Sequence, residues 1–309
     1  MKNGNRKFVV GGVMHVYQRA IHGFNIFYSL NDYIVFYTIF SVFARRFDIC
    51  VLSLCLMIDH FHSLLISDSK VRLSRFISSV TSLYARLFNE TVGRKGQLFD
   101  KSFGSAPKLT EKQIRTAIPY IFNNPVEKWV TADPSDYRWN FLAYLSSDCP
   151  FSDKLNIGSA SKNLRKAVKE VKSCHAMDLW LNYTQLDRLY RLLTAAEQKQ
   201  LTDFIISTYS PFDKEKLLSY YKSYEMMLLA VNSTTGAEYD IKEEFNRFSD
   251  IHYLEIEHYL KDRLCIEPKS LLTLPEEEKV EIASKIGANT KASARQIAKY
   301  LHLIPGRDK

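Results

Sequence analysis

Apolar positions along this chain change their period several times, and each change marks an element. From Phe8 to Arg19, "FVVGGVMHVYQR" is rich in β-branched and aromatic residues around a Gly pair, which predicts a bent or bulged strand with His15 inside it. "SLNDYIVFYTIFSVFARRF" follows, with Ile34, Phe40 and Phe43 among several apolar residues at helical spacing and with Ser29 and Asn31 as candidate N-caps. That helix is expected to end in Arg45 and Arg46. "VLSLCLMIDHFHSLLIS", Val51 to Ser67, reads as two short apolar strands that reverse at Ile58 and Asp59, with His60 and His62 set into the second. From Val71 to Phe88 the apolar residues at 73, 76, 77, 80, 83, 84 and 87 trace an amphipathic helix, with Tyr84 near the centre of its apolar face.

After Asn89 comes "ETVGRKGQLFDKSFGSAP", a basic, Gly-containing loop, and then a helix, "TEKQIRTAIPYIFNN", which Pro125 is expected to stop. Strand, helix, hairpin, helix, then more β and helix is an order that suits an α+β fold, a ferredoxin-like antiparallel sheet with packed helices. A boundary is expected near residue 150. Beyond it, "SASKNLRKAVKEVKS", "YTQLDRLYRLLTAAEQKQLTDFIIS", "KEKLLSYYKSYEMMLLAV" and "IKEEFNRFSDIHYLEIEHYLKDRL" are successive helical patterns, so residues 151–309 are expected to form an all-α domain.

Composition narrows the class. With 46% apolar and 25% charged side chains among 309 residues, the chain reads as a globular protein, and its apolar runs are far shorter than the roughly 20 residues that span a bilayer. A cytoplasmic location without membrane contact is the expectation. Five cysteines without a Cys-x-x-Cys spacing fit neither a disulfide framework nor a thiolate zinc site. Charge is unevenly shared: Lys and Arg outnumber Asp and Glu by 18 to 11 over residues 1–150, against 24 to 23 over 151–309. A basic surplus confined to the first half points to a polyanionic partner there.

The chemistry centres on the histidines. In a strand, residues i and i+2 share a face, so the imidazoles of His60 and His62 emerge side by side while Phe61 enters the opposite layer, and two adjacent imidazoles can hold one divalent metal. Tyr84 lies 22 residues after His62. Its helix face suits a plain core tyrosine, and it equally suits a phenol brought to a metal-bound phosphate, where a tyrosinate can cut DNA through a covalent phosphotyrosine.

Over about the first 145 residues the sequence resembles the single-tyrosine HUH transposases, especially the REP-associated tyrosine transposases and their insertion-sequence relatives. "MHVYQRAIHGFNIFYSLNDYIVF" looks like the family's opening strand and first helix, "LMIDHFHSLLI" like its His-hydrophobic-His strand, and "SLYARLFNETVGRKGQLFDKSF" like its tyrosine helix and following loop. "YIFNNPVEKWV" and "DYRWN" look like its closing segments. The resemblance implies metal-dependent cleavage of single-stranded DNA, commonly beside a hairpin, by a monomer or homodimer. The tyrosine becomes linked to the 5′ phosphate and a 3′ hydroxyl is left free. On that reading Tyr84 is the nucleophile, and His60 and His62 hold Mg²⁺ or Mn²⁺, with nitrogen ligands leaning toward Mn²⁺. In well-known relatives the third ligand is an amide one helical turn after the tyrosine. Here that position is Phe88, so Asn89, Asp59 and His15 are the candidates. Asp59, which replaces an amide in the family's lead-in, either adds a ligand or caps the turn, and His15 is otherwise structural or a DNA contact.

Arg19, Arg94 and Lys95, with Phe99 and Phe103, are candidate grips for phosphates and unstacked bases. Near the C-terminus, "PEEEKVEIASKIGANTKASARQIAKYLHL" resembles the helix pair of helix-turn-helix modules, so residues 276–309 are a candidate DNA reader or a structural helical hairpin. The rival function is a ferredoxin-like DNA- or RNA-binding regulator without catalysis.

Overall fold

Four strands make one antiparallel sheet: β1 (Val13–Arg19), β2 (Cys50–Met57), β3 (His60–Ile66) and β4 (Gly104–Lys108), in the spatial order β2-β3-β1-β4. The computed structural model describes residues 7–100, 102–233 and 249–303. Helix α1 (Leu30–Arg46) joins β1 to β2, α2 (Lys70–Val92) joins β3 to β4, and α3 (Glu111–Glu127) follows β4. This is the ferredoxin-like order. The first strand begins at Val13, because a turn at Gly11 (φ +66°) and Gly12 interrupts the extended chain that the sequence suggested from Phe8.

Local chemistry sets the helix ends. Ser29 caps α1 in a reciprocal box with Asp32, while Asn31 lies in the first turn and donates to Asp187 at 2.6 Å. Helix α3 runs two residues past Pro125, contrary to the expected stop, and it also contains Pro119. A proline inside a helix frees the carbonyl four residues back. The Arg115 carbonyl freed by Pro119 accepts the Tyr221 hydroxyl at 3.2 Å.

The two crossovers place α1 and α2 on one face of the sheet, where Met14, Val16, Leu54, Leu56, Phe61 and Leu65 meet them. Helix α3 covers the other face, over Leu52, Cys55, Met57 and Leu64.

Among the described residues beyond 150 the α-helices are α4 (Lys162–Ala176), α5 (Tyr183–Tyr190), α6 (Ala195–Thr208), α7 (Lys214–Leu218), α8 (Tyr224–Ser233), α9 (Ile251–His258), α10 (Glu276–Asn289) and α11 (Ala294–Tyr300), and none of these residues lies in a strand of the sheet. Their core is continuous with that of the sheet. One cluster of buried apolar side chains runs from Met14 to Leu301, because α1 is buried on nearly every side between the sheet and helices α5 and α6.

Asp32 fastens these parts together. Fully buried, it accepts the backbone N–H groups of Tyr28 and Ser29, the Tyr183 hydroxyl at 2.7 Å and the Lys269 ammonium at 2.7 Å. Lys269 also stands over the rings of Tyr183 and Phe88. Substituting Lys269→Met leaves a buried carboxylate without its cation, so urea unfolding is expected to show a loss of about 3 kcal/mol.

Candidate active site

Strand β3 lies between β2 and β1, so its histidines are held from both sides. Register places Tyr17 opposite His62 and Arg19 opposite His60 on β1, and Cys55 and Met57 opposite the same histidines on β2. Both imidazoles are buried, with ring centroids 5.0 Å apart and planes nearly perpendicular. Each is fixed through Nδ1. His60 Nδ1 lies 2.5 Å from Asp59 Oδ1, and His62 Nδ1 lies 3.0 Å from His15 Nε2. An imidazole oriented through one nitrogen by a carboxylate or a polar neighbour offers the other to a metal. His60 Nε2 is buried without a hydrogen-bond partner among the described residues.

Asp59 therefore orients His60 through the ring nitrogen that would face away from an ion held at Nε2. Its second oxygen turns toward Lys299, 3.8 Å away. Burial alone would raise its carboxyl pKa, but His60, Lys299 and Arg19 pull it down to about 2. Nearby, the Asp250 carboxyl is pushed up to about 7 by burial and by the charge of Asp59.

Tyr84 is not brought to the histidines. Its hydroxyl donates to the Ile26 carbonyl at 2.6 Å, and its ring, fully buried, packs against Phe27, Phe36, Phe88 and Phe99. Phe36 and Phe99 touch Phe61, so this cluster occupies the opposite face of the sheet from His60 and His62. Burial raises the Tyr84 phenol well above its ordinary pKa. Asn89 is also remote from the histidine pair: its side chain donates to the Gly96 carbonyl and accepts from Arg94, which ties the loop after α2.

Two other tyrosines reach the histidines, Tyr120 and Tyr17. Tyr120 is carried by α3 and 5% exposed, and its ring centroid lies 5.7 Å from those of both His62 and His15. Tyr17 flanks His62 on the other side at 5.9 Å, its ring so close over Gly104 that a Cβ there would fall 2.1 Å from it. One helical turn beyond Tyr120 stands Asn124, 2% exposed, whose Oδ1 is buried without a partner among the described residues. The signal was present in "YIFNN", a tyrosine and an amide at i and i+4, which share a helix face. Among the described residues no group of three or more His, Cys, Asp or Glu could hold a metal ion.

Of the expected DNA contacts, Arg19 is carried to this face beside His60. The Arg94 guanidinium bonds Asn89 and the Gln97 carbonyl, and Lys95 is exposed on the same loop. Phe99 is a core residue of the opposite face, and Phe103 lines a cavity of about 300 Å³ with Gln18 and Thr81. No helix among the described residues is long and apolar enough to cross a membrane.

Residues 15–124 match the family model described as "Transposase IS200 like". A solved structure of a REP-associated tyrosine transposase bound to a REP hairpin is similar over 47% of this chain and 84% of that one, at 15% identity and a TM-score of 0.40. No curated protein matches the sequence.

Proposed function

We propose that the chain, whose residues 15–124 match the IS200-like transposase family model, is a metal-dependent, single-strand DNA endonuclease and strand transferase acting at hairpin-bearing DNA. Tyr120 is its nucleophile in place of Tyr84, and His60, His62 and Asn124 are the side chains that would hold the ion. The observation that carries this reading is the placement of the Tyr120 ring against His62, with Asn124 one turn farther along the same buried helix face. Two buried polar atoms without partners, His60 Nε2 and Asn124 Oδ1, suit a cation, and two imidazoles with an amide favour Mn²⁺ over Mg²⁺. When bound, the ion supplies positive charge to a scissile phosphate.

The residues account for the rest. Tyr120 Oη attacks phosphorus as its proton passes to solvent; the bond from phosphorus to the 3′ oxygen breaks, and that oxygen takes up a proton from solvent and leaves as the 3′ hydroxyl. The chain then holds the 5′ phosphate as a tyrosyl ester, whose energy lets a later 3′ hydroxyl displace Tyr120 and rejoin the strand. Arg19, beside His60, supports the added phosphate charge. Asp59 and His15 keep the two imidazoles in the orientation the ion needs.

Incubation with single-stranded hairpin DNA and Mn²⁺ tests the reading: a denaturation-resistant protein–DNA adduct supports it, and tight binding with no adduct supports a regulator without catalysis. Asp59→Asn is expected to weaken Mn²⁺ binding by about 10- to 100-fold in calorimetry, because His60 loses the carboxylate that fixes it.

A further inference from the structure

Helix α11 reaches the site from the far end of the chain. The Lys299 ammonium stands 3.8 Å from Asp59 Oδ2, and the two side chains are only 12% and 14% exposed. The loop between β1 and α1 clamps the helix there. The Tyr28 hydroxyl donates to the Tyr300 carbonyl at 2.6 Å, the Asn25 N–H to the Lys299 carbonyl at 3.4 Å, and the His302 ring bonds the Asn25 carbonyl at 2.8 Å. Gly23, at φ +65°, makes room for the lysine, since a Cβ at that position would lie 3.0 Å from Lys299 Nζ and 3.7 Å from Asp59 Oδ2.

We propose that Lys299 is a positioning residue for the metal ligand His60, acting through Asp59, so that the helical C-terminal region completes the active site. This rests on the metal reading above. The charges near Asp59 say why a cation is needed. Asp250, at the start of α9, repels Asp59, while His60 from β3, Arg19 from β1 and Lys299 from α11 attract it. His60 holds Oδ1 at 2.5 Å, and Lys299 stands against Oδ2. Without Lys299 the carboxylate keeps its repulsion from Asp250 but loses the cation that holds its outer oxygen, so the Asp59–His60 contact loosens. Helix α11 buries Gln296, Ile297 and Tyr300 against the fold, which gives the helix pair of residues 276–300 this supporting role.

Calorimetric titration of the full chain with Mn²⁺ decides the matter, with melting followed by circular dichroism. Lys299→Met is expected to weaken Mn²⁺ binding by about 3- to 10-fold, and Lys299→Arg to restore it to within about 2-fold. In an Asp59→Asn background the same Lys299→Met change is expected to add nothing, because its route to His60 is gone. Lys299→Gln serves in the same cycle should the methionine variant fold poorly. Wild-type affinity in Lys299→Met, or an equal loss with and without Asp59, overturns the proposal and leaves the metal reading standing. Failure of the wild-type chain to bind Mn²⁺ overturns both.

Discussion

Tyr120→Phe is expected to abolish the protein–DNA adduct, with strand cleavage falling by about 10³-fold or more, because the variant keeps the ring and loses the only atom that can form the ester. Tyr84→Phe is expected to keep cleavage within about 2-fold and to reduce stability by about 1–2 kcal/mol, the cost of leaving the buried Ile26 carbonyl without its donor. The pair of variants separates the two tyrosines cleanly. Each change deletes one oxygen from a buried ring, but only Tyr120 lies on the histidine face. Adduct gels with labelled hairpin DNA, and urea unfolding of the same preparations, read both effects.

The second large effect concerns the imidazoles. His62→Ala is expected to remove measurable Mn²⁺ binding and to lower cleavage by about 10²- to 10³-fold, since one lost electrostatic partner of a developing charge costs that much in a preorganised site. It should also loosen the fold, because His62 is fully buried between His15, Tyr17 and Tyr120. His60→Ala is expected to give the same loss of metal with a smaller loss of stability, as its ring is held on the Asp59 side and has no ring neighbour but His62 among the described contacts. Calorimetry for the metal and thermal melting for the fold distinguish the two variants.

Much of the fold was legible because its signals are local. The hairpin reversing at Ile58 and Asp59, the Ser29 cap and the amphipathic stripe of α2 depend on neighbours within a few residues, and all are present. Tyr84 falls outside the histidine pocket for a geometric reason. Both crossovers of a ferredoxin-like sheet are right-handed, so α1 and α2 lie on the face that Phe61 enters, and alternation along β3 sends His60 and His62 to the other. Tyr84 had a suitable interval and helix stripe but the wrong layer. The helix after β4 covers the histidine face, and "YIFNN" supplied the tyrosine and amide there, although Pro125 made α3 read as a helix ending before it.

Long-range contacts were not legible at all. One buried core crosses the boundary expected near residue 150: the apolar surface of α1, buried nearly all round, needs a second set of helices whose docking no local pattern identifies. Lys299 lies 240 positions from Asp59 and has the look of an ordinary helix-end lysine. The candidate helix-turn-helix of residues 276–309 extends past Leu303, so its last six residues lie outside those described; α10 and α11 themselves pack on each other, and α11 on α9.

Sequencing the trapped adduct by tandem mass spectrometry, after digestion of both protein and DNA, is the most direct test. A nucleotide phosphate on Tyr120, in a peptide released only when Mn²⁺ and hairpin DNA were both present, is the expected product. The same phosphate on Tyr84 or Tyr17, with Tyr120 unmodified, contradicts the site built here from His60, His62 and Tyr120.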